Sequence, residues 1–213
     1  MKLVVFGANS PTGRLVTAMA MTAGHTVTAV TRRPADFPFC DHRVQTAAAD
    51  VMDADAVDWV TGGHDAVVSV IGVPPSVRPV TVCSQATYNI VKAMIGHGMR
   101  RLLCVASADL DAADLSPAGL LRQRAIRPLV LASGSAVQRD VRRMENIVRE
   151  SGLDWTLLRP GRLVAGSEVS DYRMTARPVP RPLTFRTDIA HALVREVTHG
   201  AYLGETVYVS SPK

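Results

Sequence analysis

The stretch Lys2-Leu-Val-Val-Phe6, followed by Gly7-Ala-Asn-Ser-Pro-Thr-Gly13, decides the fold of this chain. A buried strand that runs into a glycine turn and then into a helix aims backbone N–H groups and a positive helix end at a phosphate. The usual fingerprint has three glycines, and here its middle position is Ser10. Serine adds only a hydroxymethyl group, and Pro11 and Thr12 suit a turn and a helix start. The stretch therefore predicts a dinucleotide-binding turn.

The residues that follow the second predicted strand, 26–31, indicate which dinucleotide binds. A site that prefers NAD places Asp or Glu here, where the carboxylate accepts a hydrogen bond from the ribose 2′-OH. This chain has Arg32 and Arg33 instead. Because a guanidinium group matches a phosphate in charge and geometry, the pair predicts NADP(H). The alternative is that both are ordinary surface arginines, since arginine is frequent in this chain.

The composition sets limits on other functions. The formal net charge is +5, but the cations are scattered and few aromatic residues lie beside them, so we expect a solvated surface and no nucleic-acid partner. No apolar run approaches membrane-spanning length, and no secretory signal precedes the first strand, so no membrane partner is expected. The histidines lack metal-binding spacing, so no metal is expected. Cys40, Cys83 and Cys104 show no metal spacing either and fit a reducing cytoplasm.

Apolar strand-like runs alternate with helical stretches along the chain, which is typical of a parallel sheet with crossover helices. The predicted strands cover 2–6, 26–31, 44–48, 66–71, 101–106, 155–158 and 206–209. The predicted helices cover 13–23, 53–60, 80–97, 135–151 and 187–198. We therefore expect one α/β domain over 1–213: a Rossmann-like, doubly wound parallel sheet flanked by helices. Substrate-side loops near 72–80, 108–134 and 163–186 would form a small cap, with ordinary solvent loops as the alternative for the proline-rich parts.

Further motifs point to one family. They are Ala49-Asp50-Val51, Ser69-Val-Ile-Gly72, Val105-Ala-Ser107, the stretch 151–163, and Arg186-Thr-Asp-Ile-Ala190. Together with the glycine turn, they resemble the atypical short-chain dehydrogenase/reductases of the NAD(P)H-binding, NmrA-like kind, which include flavin and biliverdin reductases. The resemblance covers nearly the whole chain and implies a Rossmann fold, an NADP(H) cofactor and a small-molecule substrate.

The fingerprint and the resemblance together predict a set of cofactor contacts. These are Gly7, Asn9, Ser10, Pro11, Thr12, Gly13, Arg14, Arg32, Arg33, Asp50, Val51, Ile71 and Gly72. The resemblance implies that Asp50 and Val51 flank the adenine and that Gly72 lies along the ribose and phosphates. The alternatives are that Asp50 caps the helix beginning near Asp53 and that Gly72 only ends a strand.

The catalytic residues are harder to identify. Short-chain dehydrogenases commonly use a Tyr with a Lys four residues later. Tyr88 and Lys92 have this spacing, but they precede the strand that leads to Ser107, whereas the family's pair follows that strand. We therefore predict an ordinary helix face there. The resemblance leaves Ser107 and Arg162 as catalytic candidates, with a backbone-bonded Ser and a carboxylate-paired Arg as the alternatives.

Ser107 would hydrogen-bond a substrate carbonyl or the nicotinamide amide, and Arg162 would hold an anionic substrate or stabilise developing negative charge. Asp140 and Glu145, on a predicted helix rich in arginine, are interpreted as a solvated charge pattern.

The function expected from these observations is an NADPH-dependent reductase. It would transfer hydride to a flat conjugated or carbonyl acceptor, such as a flavin, a quinone, a bilin or a biosynthetic intermediate, with solvent able to supply the proton. The substrate would be planar or anionic, and the protein a monomer or homodimer. Two alternatives stay open: an NADP(H)-binding regulator without turnover, and a nonredox isomerase or cyclase on the same fold.

Overall fold

The computed structural model describes residues 1–74, 76, 78–106, 136–179 and 183–212. Its strands are β1 (Lys2–Phe6), β2 (Thr26–Thr31), β3 (Val44–Ala48), β4 (Ala66–Ser69), β5 (Arg101–Val105), β6 (Asp154–Pro160), β7 (Arg162–Val164), β8 (Arg173–Thr175), β9 (Leu183–Phe185) and β10 (Glu205–Ser210). Its helices are α1 (Pro11–Thr22), α2 (Ala54–Thr61), α3 (Val82–Gly96), α4 (136–150) and α5 (Arg186–His199). Every strand predicted from the sequence is present: three have the predicted ends, and the ends of the others shift by at most two residues.

The central sheet has the strand order β3-β2-β1-β4-β5-β6-β10-β8. All neighbouring strands in it run parallel except β8, which lies antiparallel to β10 at the sheet edge. The chain moves outward from β1 through β2 to β3, and then returns to β4 on the other side of β1. This reversal opens a crevice at the carboxyl ends of β1 and β4. The predicted Rossmann-like α/β fold is confirmed.

Helices cover both faces of the sheet, which explains the continuous apolar runs in β1, β4 and β5. One apolar cluster joins the sheet to α2, α3 and α4 through side chains such as Ile90 and Val148. A second cluster joins the opposite face to α1 and α5 through side chains such as Val16 and Leu193. In the described part of the chain, no helix is both long and apolar enough to cross a membrane.

The predicted loop near 163–186 is not wholly irregular. Strands β7 and β9 form a two-stranded parallel ribbon, and β8 lies in the same region. The buried Thr184 hydroxyl anchors the ribbon, because it accepts a hydrogen bond from Gly161 N at 2.8 Å and donates to Val209 O at 2.6 Å. Strands of three residues are too short to show alternation in the sequence. The predicted loop 108–134 lies outside the described residues.

Asp140 is buried, so its interpretation as part of a solvated charge pattern is wrong. Its side chain is 0% exposed and accepts hydrogen bonds from the backbone N–H groups of Cys83 (2.8 Å) and Ser84 (3.2 Å). The Ser84 hydroxyl donates to the same carboxylate. A carboxylate of α4 therefore caps the first turn of α3, where the N-cap residue Thr81 offers no side-chain hydrogen bond.

The three cysteines are all free. Cys40 is exposed, whereas burial raises the pKa of the Cys83 and Cys104 thiols to about 12. No group of three or more His, Cys, Asp or Glu side chains able to hold a metal ion occurs among the residues that the structure describes.

Candidate functional site

The glycine turn lies in the crevice between β1 and β4. Gly7 follows β1 with a φ of +78°, and a Cβ at this position would lie 2.9 Å from the Val70 carbonyl oxygen. A Cβ on Gly13 would lie 2.3 Å from Gly7 O and 2.7 Å from the Cα of Ala8. Both glycines are therefore required by their own surroundings, and the backbone forms a cradle that a side chain would fill.

Ser10, which replaces the middle glycine of the fingerprint, is the N-cap of α1. Its hydroxyl oxygen accepts a hydrogen bond from Gly13 N at 3.0 Å, and Pro11 follows at the first helical position. Within the described residues, the backbone N–H groups of Asn9 and Thr12 have no hydrogen-bond acceptor. The substitution thus satisfies one helix-end donor and leaves others available to an anion.

Three arginines gather where β2 ends. The Arg14 guanidinium donates to Asn9 Oδ1 at 3.0 and 2.7 Å, and to the Asp36 carbonyl oxygen at 3.4 Å. Arg33 Nε lies 3.3 Å from Asp36 Oδ2. Arg32 is exposed, and its side chain makes no hydrogen bond or ion pair within the described part of the chain. Of the three guanidinium groups, Arg32 alone is therefore uncommitted.

Asp50 and Val51 follow β3 at the same edge of the sheet. Asp50 Oδ1 accepts a hydrogen bond from Met52 N at 3.0 Å, whereas Asp53 caps α2 by accepting from two amides of its first turn. Asp50 therefore does not cap α2 and is exposed to solvent. The buried Asn89 of α3 fixes the backbone of Val51, because Asn89 Nδ2 donates to Val51 O at 2.9 Å.

Ile71 and Gly72 lie just beyond β4, which ends at Ser69 rather than at the predicted position 71. Ile71 packs against the apolar cluster on the α2, α3 and α4 side. A Cβ on Gly72 would meet nothing within 4 Å, and its φ is not in the left-handed region. The surrounding protein therefore does not itself require a glycine at position 72.

The structure describes one of the two catalytic candidates. Ser107 lies outside the described residues. Arg162 begins β7, directly after the turn that ends β6, and its exposed side chain has no carboxylate partner in the described ranges. Tyr88 and Lys92 both project into solvent from α3.

Sequence reasoning missed a buried ion pair beneath the β6–β7 turn. Glu145 of α4 is 2% exposed and accepts from Arg159 Nε at 2.8 Å and from Arg159 Nη2 at 2.5 Å. Burial opposes the Arg159 charge, but its hydrogen bonds to Glu145 and Tyr208 outweigh this and raise its pKa. Arg159 falls in the stretch 151–163, which resembles the family, and this resemblance was the sequence signal that could have drawn attention to it.

Contacts to α5 hold the segment that follows β7. The Thr187 hydroxyl donates to Glu168 O at 2.8 Å, and buried Asp188 accepts from the Ser170 amide at 2.8 Å and from its hydroxyl at 2.6 Å. Tyr172 Oη lies 2.8 Å from His191 Nδ1, and burial raises the pKa of this tyrosine. The first half of α5 therefore fixes the position of the segment from Glu168 to Tyr172.

Known structures share this fold. The chain is similar to the anaerobillin reductase ChuY from Escherichia coli O157:H7, with 20% identity, coverage of 100% of this chain and 98% of that one, and a TM-score of 0.76. It is also similar to a short-chain dehydrogenase/reductase from Veillonella parvula in complex with NADP, with 20% identity, coverage of 99% and 94%, and a TM-score of 0.75. For the oxidoreductase ylbE from Lactococcus lactis, identity is 16%, coverage is 100% and 92%, and the TM-score is 0.78.

The sequence itself matches a family model described as NAD(P)H-binding over residues 7–200. This match spans most of the chain, from the glycine turn to the end of α5. The resemblance read from the motifs and the prediction of a nicotinamide dinucleotide cofactor are thereby confirmed. The chain belongs to the NAD(P)H-binding family.

Proposed function

We propose that this protein is an NADPH-dependent reductase that acts on a flat conjugated or carbonyl acceptor. The observation that carries the proposal is the glycine cradle with the uncommitted Arg32 beside it. The similarity of this fold to that of an anaerobillin reductase also favours a flat conjugated acceptor. The three free cysteines support a reducing, cytoplasmic setting.

The chain's own residues would hold the cofactor along the crevice. Gly7 and Gly13 admit the pyrophosphate, and the free amides of Asn9 and Thr12 donate to it. Arg32, with Arg33 beside it, would hold the adenosine 2′-phosphate. The other predicted cofactor contacts are Ser10, Pro11, Arg14, Asp50, Val51, Ile71 and Gly72. When bound, NADPH supplies the hydride.

Arg32→Ala is expected to weaken NADPH binding roughly ten- to hundredfold, because losing a charge-assisted phosphate contact costs about 1.5–3 kcal/mol. NADH affinity should stay unchanged, since its ribose carries no 2′-phosphate. Titration of both cofactors by fluorescence measures the effect. Arg33→Ala is the matched control, and it should lose less because its guanidinium is shared with Asp36. Equal affinity of the unmutated protein for NADH and NADPH would refute the 2′-phosphate assignment.

The acceptor would lie beside Ser107 and Arg162. Ser107 would position the acceptor carbonyl by donating a hydrogen bond, and Arg162, which has no side-chain partner among the described residues, would offer its positive charge to an anionic group. Solvent supplies the proton, since Tyr88 and Lys92 face outward on a helix and do not line the crevice.

Tyr88→Phe and Lys92→Ala should leave turnover within about threefold, because neither residue takes part in proton transfer in this scheme. Ser107→Ala should lower turnover by roughly 10²–10³-fold if its hydroxyl stabilises developing charge. Steady-state rates at saturating NADPH measure these effects. A collapse in Tyr88→Phe together with an unaffected Ser107→Ala would place the active site elsewhere.

The deciding experiment is NADPH oxidation with a panel of flavins, quinones and bilins. Turnover supports the reductase. Tight NADPH binding without turnover supports the regulator, and product formation without NADPH consumption supports the nonredox enzyme.

A further inference from the structure

A cleft opens at the amino-terminal edge of the sheet, beside the first residues of β1, β2 and β3. Its volume is about 330 Å³, and its lining includes Lys2, Thr26, Thr28, Gln45 and His64. Because each strand residue advances the chain by about 3.3 Å, the amino end of β1 lies roughly 17 Å from the glycine turn. This amino-edge cleft is therefore separate from the crevice that would hold the cofactor.

The cleft exists because α2 is too short to cover the sheet down to this edge. Helix α2 has eight residues and is about 12 Å long, whereas β2 has six residues and is about 20 Å long. The strand register puts Lys2 opposite Thr26. Thr28, two residues further along β2, lies opposite Gln45 of β3. Val30, further still on the same face, is buried in the apolar cluster, so this face changes from apolar to polar where α2 ends.

Three side chains in the cleft have hydrogen-bond donors to spare. The Lys2 ammonium, the Thr26 hydroxyl and the Gln45 amide make no hydrogen bond or ion pair within the described residues. Asp65 accepts from the backbone N–H of Lys2 at 2.7 Å, but its carboxylate forms no ion pair with the ammonium. An ammonium, a hydroxyl and an amide on three neighbouring strands are suitable donors for the oxygens of an anion.

The remaining charges at the cleft are already paired. Asp41 Oδ1 accepts from Arg43 Nε at 3.1 Å, and the hydrogen bonds from Arg43 lower the pKa of Asp41 to about 2. Arg43 Nη1 also donates to Met21 O, near the end of α1, at 3.0 Å. His42 Nδ1 lies 3.4 Å from the same Asp41 carboxylate. Lys2 is therefore the lysine or arginine of the cleft that has no counter-ion in the described part of the chain.

His64 is held in a fixed orientation at the cleft. Its Nδ1 lies 3.0 Å from Thr61 O and 3.1 Å from Gly62 O, two carbonyls at the end of α2. Because both neighbours can only accept, Nδ1 carries a hydrogen, and Nε2 of the neutral ring accepts from the Thr28 hydroxyl at 2.7 Å. A protonated ring would instead donate to Thr28, and the Thr28 hydroxyl hydrogen would be free to turn into the cleft. Proton uptake by His64 would thus add a further donor.

We propose that the amino-edge cleft binds a small oxyanion, the phosphate or carboxylate group of a small molecule, through Lys2, Thr26 and Gln45. The lysine supplies the opposite charge, and the hydroxyl and the amide donate to the other oxygens. A volume of about 330 Å³ leaves room for a short carbon body beside the anionic group. Among the described residues, the lining includes no Trp, Tyr or Phe, so a compact ligand is expected rather than a flat aromatic one.

Residue-resolved NMR of the full chain tests the proposal. Inorganic phosphate and succinate are titrated separately into the protein at saturating NADPH and about 0.15 M ionic strength, so that NADPH occupies the glycine turn and weak surface attraction is screened. We expect saturable shifts of the amides that line the cleft, with a dissociation constant on the order of 1 mM. The probe that binds more tightly shows which of the two anionic groups the cleft prefers. Assigned shifts distinguish this cleft from the glycine turn even if NADPH does not bind.

Lys2→Ala should raise the dissociation constant of the tighter probe roughly tenfold or more, because a charge-assisted hydrogen bond is lost. Gln45→Ala should raise it roughly two- to tenfold, since a neutral hydrogen bond contributes less. Neither side chain has a partner in the described ranges, so both variants should fold, and unchanged shifts elsewhere in the spectrum check this. Lys92→Ala is the matched control. It removes an exposed lysine of α3 outside the cleft and should leave the dissociation constant within about twofold.

Three results would overturn the proposal. They are the lack of any saturable shift at the cleft with either probe, shifts confined to the glycine turn, and a Lys2→Ala variant that binds as tightly as the unmutated chain. Because none of these results depends on NADPH turnover, the reductase proposal stands or falls separately.

Discussion

Gly13→Ala is expected to abolish NADPH binding and to lower the free energy of unfolding by about 3 kcal/mol. The added methyl group would lie 2.3 Å from Gly7 O, and the atoms it meets are backbone atoms of the phosphate turn itself. No rotamer change can relieve such a contact, so either α1 moves away from β1 or the turn distorts. Either movement would turn the backbone N–H groups at the N-terminus of α1 away from the pyrophosphate.

Gly96→Ala is the matched control, since Gly96 ends α3 with nothing within 4 Å of the added Cβ. It should leave NADPH affinity unchanged and stability equal or slightly higher, because alanine favours a helix by about 0.5–1 kcal/mol over glycine. Urea denaturation and NADPH titration of both variants measure the effects. Normal NADPH binding by Gly13→Ala would contradict the phosphate-turn assignment.

The fold and the place of the glycine turn at the end of β1 could be predicted from the sequence, because each depends on local patterns. An apolar strand that leads into Gly7 has few alternatives, and β1 and β4 are buried on both faces, so both carry uninterrupted apolar runs in the sequence. The position of Arg32 directly after β2 could be predicted for a similar reason, since it follows from chain order alone, whereas its contact with a 2′-phosphate stays a prediction.

Interactions between distant elements could not be predicted in this way. The amphipathic pattern of α4 does not tell which of its acids faces a neighbouring helix, so Asp140 appeared solvated although it caps α3. The ribbon of β7 and β9 depends on Thr184, whose partners lie 23 and 25 residues away in the chain. Ser10 was a departure from a motif in the sequence, and its capping role appears only with the geometry of α1.

Glu145→Leu is expected to lower the free energy of unfolding by about 3 kcal/mol, because it removes the buried carboxylate that accepts two hydrogen bonds from the largely buried Arg159 guanidinium. Arg149, the second cation on Glu145, is more exposed than Arg159, so water can replace its lost contact. Glu150→Leu, on the exposed face of the same helix, is the control and should change stability by less than about 0.5 kcal/mol.

The double variant Glu145→Leu with Arg159→Met separates the cost of an unpaired charge from the loss of packing. Replacing both members of a buried pair by apolar side chains is often neutral, so the double variant should recover most of the stability that the single variant loses. Equilibrium urea unfolding of all three proteins measures this. Because Arg159 lies near the end of β6, three residues before Arg162, the single variant should also raise the KM for the acceptor more than it lowers kcat. A single variant as stable as Glu150→Leu would mean that the Glu145–Arg159 pair holds neither α4 against β6 nor the turn that carries Arg162.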